Sequence, residues 1–311
     1  MINARDLILL GLILSAMLIA VIWPQAGNPF RPYTTFFMMG LLFLSFLPIS
    51  MESIVRTALH MAPRLIGWLL LKLVLLPVAL FFLFRAVYPD YAMAALLLGG
   101  ASTGVVAPFF SSLVGANTAL VVLMVTAGSV LVPFTLPVLV RVAAGQTIDI
   151  SFAAMALSLA QVIFVPLAAA ESLRYAFPAA PERISARSYS ISVFFCVVIV
   201  LGVFSKYSGH IHRNPSMVVD ALLVALLLSL LLFAAGMLVS LGEGTADRLA
   251  AVISLGLINN ILVVVFSSEF CGPIESLVSA IYCVPFFCSI VFLRGYAGWL
   301  AGGATGLRRK L

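Results

Sequence analysis

Stretches of about twenty apolar residues follow one another along nearly the whole chain, joined by connections too short to fold by themselves. Wound as a helix, such a stretch matches the hydrocarbon thickness of a bilayer. A soluble domain has nowhere to bury so many of them, since 63% of the 311 residues are hydrophobic and only 9% are charged. The fold class is therefore an all-α polytopic membrane protein. Ten segments are read, at about 6–23, 34–50, 65–88, 91–114, 117–142, 150–176, 189–207, 217–241, 246–269 and 274–294. The first, Leu7 to Trp23, has only Arg5 ahead of it and no clear small-x-small cleavage site behind, so it reads as a retained helix and not a signal peptide.

The net charge of +6 lies in the connections and acts as an orientation signal, not as a nucleic-acid surface. On the side of the N-terminus lie Arg5, Arg56, Arg64, Arg174, Arg183, Arg187, Arg248, Arg294, Arg308, Arg309 and Lys310. The other side carries Arg31, Arg85, Arg141, Lys206 and Arg213. Eleven against five predicts both termini in the cytoplasm; the expected location is a bacterial inner membrane. Of the four cysteines, Cys196, Cys271, Cys283 and Cys288, three lie in apolar segments and read as small hydrophobes, and none has metal-ligand spacing.

Two segments are interrupted where the bilayer is deepest. The fourth carries GGASTGVVAPFFSSLVGAN, with Gly99, Gly100, Gly104 and Pro108. The ninth carries SLGLINNILVVVF, where Gly256, Asn259 and Asn260 interrupt a β-branched run. Ten segments divide as five plus five, and an odd number per half puts the halves in opposite orientations. Interruptions at matching positions then point to inverted repeats. Each break starts a half-helix whose first N–H groups are unpaired and partly positive. Pro108 suits a first helical position, and Asn259 or Asn260 can cap. Two such ends on one crevice suit an anion; small residues that merely permit tight packing are the other reading.

Residues placed to line such a crevice are Ser102, Thr103, Ala107, Pro108 and Phe109 at the first break and Asn259 and Asn260 at the second. Lys72 is the clear ionisable side chain well inside an apolar run, GWLLLKLVLLPVAL. It reads as a cation facing an anionic solute, a substitute for a bound metal cation, a proton carrier, or a stem snorkelling to the interface. Gln161, in AQVIFVPLA, suits either a solute contact or a bond between helices, and Thr126 and Ser129 read as bonding to their own backbone. His60, His210 and His212 lack a further ligand for a metal, and Glu269 and Glu275 read as solvated. No nucleophile-elbow, Walker, HExxH or Rossmann pattern appears, so an enzyme is not expected.

Four stretches, in this order and spacing, resemble the bile acid:sodium symporter family: KLVLLP, TGVVAPFFSSLVGANTALVV, AQVIFVPLA and RLAAVISLGLINN. The resemblance implies one transmembrane unit over 1–311, with ten helices in two five-helix inverted repeats and discontinuous helices 4 and 9 that cross. It implies a core domain at about 65–142 and 217–294 and a panel domain at about 6–50 and 150–207. Members of that family carry bile acids or other organic anions, usually with sodium. Their cation-site positions fall here on Lys72, Ala107, Pro108, Val121, Val125, Ser254 and Ile258, with Asn259 alone kept. Sodium is thus possible as a cofactor but not favoured, and no other is implied. The expectation is a secondary active or facilitative transporter of a small organic anion, bile-acid-like or a carboxylate, working by alternating access. Lys72 would replace the sodium ion, and the partners would be the solute and the lipid bilayer. A conventional sodium-coupled symporter and a membrane receptor are the alternatives.

Overall fold

The computed structural model describes residues 4–48, 63–144, 151–185 and 188–308. His60, Arg56, Arg187, Arg309 and Lys310 lie outside the described residues. Within them the protein is all-helical, with 88% helix and no strands. In chain order the helices are α1 (Ala4–Ile22), α2 (Thr34–Phe46), α3 (Pro63–Val87), α4 (Ala92–Gly100), α5 (Ala107–Val114), α6 (Thr118–Ala144) and α7 (Phe152–Ala176). They continue as α8 (Ser188–Arg213), α9 (Ser216–Val239), α10 (Thr245–Gly256), α11 (Asn260–Phe270), α12 (Pro273–Ile281) and α13 (Cys283–Arg308).

Among the described residues six helices are long and apolar enough to span a bilayer, and the pair Gly11–Ile22 and Pro24–Phe46, bent by 114°, makes up to seven. Helix occupies each of the ten apolar stretches; the fourth and ninth are each split by an extended break, and the tenth is divided only at Tyr282 within one continuous span. Local chemistry explains the interruptions. Pro24, Pro29 and Pro32 fill the connection between α1 and α2 and hold it in 3-10 turns. In α3 the turn Leu71–Leu75 is a π-helix, its Leu76 N–H reaching back to the Leu71 carbonyl. The cause is Pro77, which has no N–H and whose ring crowds the carbonyl four residues earlier. Helix α4 ends at Gly99-Gly100, and Ala101 is already extended. Helix α5 ends on Gly115, whose φ of 71° is left-handed and suits glycine.

Helix α1 packs on α8, and α2 on both α7 and α8. In the rest of the bundle α3 packs on α4, α9 on α10 and α12, and α11 on α12, while α6 meets both α4 and α7. The innermost layer is mostly apolar: Leu120, Val121, Met124 and Val125 of α6 and Ile253, Leu257, Ile258, Val263 and Val264 around the second break are buried, with Lys72, Ser102, Thr103 and Ser254 as buried polar groups among them.

Polar clusters sit at the two ends. At one, Arg64 pairs with Glu243 at 2.8 Å and with Asp247, whose other oxygen accepts from Asn117 Nδ2 at 2.7 Å. At the other, Arg31 donates to Ser205 Oγ at 3.0 Å, Tyr207 to the Ser268 carbonyl at 3.2 Å and Ser158 to Glu269 at 3.0 Å. Each cluster joins only residues that the charge pattern puts on one side. Glu269 and Glu275 are more than solvated: Glu269 takes the Ser158 bond, and a Glu275 oxygen accepts from the Gly272 N–H at 3.0 Å, closing the first turn of α12.

Candidate functional site

The two breaks satisfy each other. Gly104 N–H donates to the Leu257 carbonyl at 2.8 Å, and Asn259 N–H donates to the Ser102 carbonyl at 2.9 Å. The pair forms one antiparallel bridge, Thr103 to Ile258. A bilayer interior offers no water for freed backbone groups, so two broken helices are tolerable there when each supplies the other's partners. Gly104 makes the approach possible, because a Cβ on it would lie 2.8 Å from the Ile258 carbonyl oxygen.

The last carbonyls of α10 need partners as well. Ile253 O accepts from Leu257 N–H at 2.9 Å, a bond within the turn. Thr103 Oγ1 then donates to Ser254 O at 2.7 Å, Lys72 Nζ to Leu255 O at 2.7 Å and Tyr282 Oη to Gly256 O at 3.0 Å. Three side chains from three elements thus close the C-terminus of one half-helix, where the backbone dipole leaves partial negative charge. Lys72 is 1% exposed and sits in the π turn of α3, so it does not snorkel. Its ammonium is spent on a carbonyl and is not on the wall of the neighbouring cavity. Beside it, Ser254 Oγ is buried with no partner.

That cavity, of about 160 Å³, lies between α1, α2 and α8 on one side and the two breaks with α13 on the other. Ile13, Leu41, Cys196, Cys283, Phe286 and Phe287 give it apolar walls, and Val105, Val106, Ile258 and Ile261 bring in both breaks. Its polar side chains are Ser45, Ser192, Asn259 and Asn260, and none is charged. The two asparagines differ. Asn259 Oδ1 accepts from Leu262 N–H at 3.4 Å and caps α11. Asn260 is already helical, is 8% exposed and lines the cavity.

The remaining positions read from the sequence scatter. Ser102 is buried and accepts from Ser129 Oγ at 3.4 Å. Ser129 therefore reaches across to the break instead of to its own backbone, whereas Thr126 does bond to Val122 O of its own helix at 3.0 Å. Ala107 is buried and Pro108 half-buried at the start of α5, with no polar side-chain atom to offer an ion. Phe109 is 49% exposed and stacks edge-on with Phe110, outside the cavity lining. Val121 and Val125 are buried among apolar neighbours. Gln161 is exposed on α7, also outside the cavity lining. His212 Nδ1 lies 3.0 Å from the Ser208 carbonyl of its own helix.

The sequence reading had missed Tyr282 and the cavity-lining Cys196, Cys283 and Phe286. For Tyr282 a signal existed, since a phenol in an apolar run must find a partner for its hydroxyl.

Compared with known proteins, residues 7–214 match the family described as Sodium Bile acid symporter family. No curated protein matches the chain.

Proposed function

The chain belongs to the sodium bile acid symporter family, and from that premise we propose that it transports a small organic anion without sodium, Lys72 taking the place of the ion. One observation carries the reading: the Lys72 ammonium lies 2.7 Å from the Leu255 carbonyl at the buried C-terminus of α10. A sodium ion wants several oxygen ligands, a carboxylate preferably among them. Among the positions the family resemblance marks, Ala107, Pro108, Val121, Val125 and Ile258 bring no side-chain oxygen, and Ser254 brings one hydroxyl. A sodium ion placed about 4 Å from the ammonium would be repelled by about 4 kcal/mol at an effective dielectric of about 20.

The anion preference rests on the cavity's setting at the starts of α5 and α11, where N-terminal ends favour negative charge, and on the free amide of Asn260. We read α1, α2, α7 and α8 as a panel and the remaining helices as a core. The packing of α1 on α8 and of α2 on α7 and α8, and the cavity's position between these helices and the two breaks, support that division. Rocking of core against panel would expose the cavity to each side in turn.

The test is a thermal-unfolding screen of the purified protein against organic acids, followed by uptake of the stabilising acid into proteoliposomes. A ligand of the folded state raises the transition by mass action. Expected are stabilisation by carboxylates and equal uptake in sodium and in potassium. Uptake that requires sodium overturns the reading.

A further inference from the structure

A second cavity, of about 260 Å³, lies at the end of the bundle opposite Arg64 and Asp247. Its walls come from the connection before α2 and from α2, α8 and α11, and they include Arg31, Thr35, Lys206, Ser268 and Glu269. In contrast to the central cavity it carries charge: two cations and one carboxylate. The carboxylate is engaged, since Glu269 Oε2 accepts from Ser158 Oγ at 3.0 Å. The Arg31 guanidinium is held on α8 by Ser205 Oγ at 3.0 Å and by the Ser205 carbonyl. Lys206 Nζ donates to the Ser268 carbonyl, and Tyr207 Oη donates to the same oxygen at 3.2 Å. Two adjacent residues of α8 therefore grip one carbonyl in the last turn of α11.

This grip joins the helices read as panel to those read as core. The central cavity reaches Ser45, near the end of α2, and Ser192, near the start of α8, and so lies toward the opposite end. At the vestibule itself, Lys206, Tyr207 and Ser158 hold the end of α11, whose other end reaches the central cavity at Asn260 and Ile261. For an ammonium, a carboxylate is the better acceptor: a charge-assisted bond is roughly twice as strong as one to a neutral group.

We propose that the vestibule is a binding site for a carboxylate-bearing anion, seated between Arg31 and Lys206, and that its occupation draws Lys206 from the Ser268 carbonyl and loosens the end of α11, which Tyr207 and Ser158 then hold without it. The gating half rests on the transporter reading given above; the binding half does not. By the charge pattern this end faces outward, so the vestibule is where an anion outside the cell meets the protein. Glu269 narrows the choice to ions of low charge, since it repels a second negative group.

Two measurements test this. In the first, potassium benzoate raises the unfolding temperature of the purified protein. The rise disappears in Arg31→Ala and in Lys206→Ala, returns in Arg31→Lys, survives in Asn260→Ala, and is absent with benzamide. In the second, right-side-out membrane vesicles carry a Cys271→Ser, Cys288→Ser background, which leaves Cys196 and Cys283 in the central cavity. A membrane-impermeant maleimide added outside labels that background slowly. Lys206→Ala speeds labelling by about fivefold, the factor one modest hydrogen bond contributes to an open–closed equilibrium. Benzoate speeds the background but not Lys206→Ala. A benzoate shift that persists in Arg31→Ala and vanishes in Asn260→Ala overturns the vestibule site and leaves the transporter reading standing. A shift lost in Arg31→Ala, with no labelling in any variant, keeps the site and overturns the transporter reading.

Discussion

Two single-oxygen deletions at the end of α10 should differ in sign: one lowers stability and the other does not. Tyr282 is fully buried, and its hydroxyl donates to Gly256 O at 3.0 Å. Tyr282→Phe keeps the ring and its packing but leaves that carbonyl without a donor where water cannot reach. An orphaned buried acceptor costs about 1–3 kcal/mol. Ser254 is as deeply buried, yet its Oγ has no partner. Ser254→Ala removes an unsatisfied hydroxyl and should gain about 1 kcal/mol or leave stability unchanged. The Ser254 carbonyl keeps its bond from Thr103, so the backbone end is untouched. At about 2–4 °C per kcal/mol, Tyr282→Phe lowers the unfolding midpoint by about 2–12 °C and Ser254→Ala leaves it unchanged or raises it by up to about 4 °C. The assay is tryptophan fluorescence during heating in detergent, using the three tryptophans of the chain. A loss of stability in Ser254→Ala would refute the reasoning, because it would mean that Oγ serves a partner and that the carbonyl end is not dry.

Other perturbations reach the rest of the site. Gly104→Ala forces a methyl to 2.8 Å from Ile258 O, so the bridge between the breaks opens and transport is lost; normal uptake by that variant would remove the bridge from the mechanism. Asn117→Ala deletes both the bond that caps the first turn of α6, Leu120 N–H to Oδ1 at 3.2 Å, and the bond to Asp247. It should cost about 1–2 kcal/mol, read as a lower unfolding midpoint with transport specificity unchanged. Lys72→Gln shortens the side chain by one atom and removes its charge, leaving Leu255 O open; transport of the organic acid should fall and its pH profile change, and an unaltered profile would take Lys72 out of the mechanism.

Both breaks were readable because Gly99, Gly100, Gly104, Pro108, Gly256, Asn259 and Asn260 are costly or unusual inside an apolar helix, and helix ends occur where they stand. Lys72 was visible for the same reason, as a charge amid leucines. Its partner was not, because Leu255 contributes a backbone carbonyl and any residue type could have supplied one. The apolar walls of the cavity were hidden by the solvent itself. Lipid is as apolar as the interior, so Ile13 in the cavity and Leu18 on the outer surface have the same chemistry and no periodicity separates them. Gln161 illustrates the converse: polarity marked it as interior, and it is exposed on α7. The π turn was latent in Pro77, whose effect depends on whether neighbouring helices let α3 continue past it.

On the proposed function, a positive charge fixed to the chain in place of sodium would also alter what can drive the protein. A bound sodium ion enters on one side, leaves on the other and spends a gradient; a Lys72 ammonium in its place would return to its starting point at the end of every cycle. The net charge moved is then the solute's own. For a monovalent anion a membrane potential of about 100 mV, negative inside, is worth about 2.3 kcal/mol. That favours the outside by about fiftyfold, so a transporter with a tethered cation would empty a cell of its anion unless supply exceeded export.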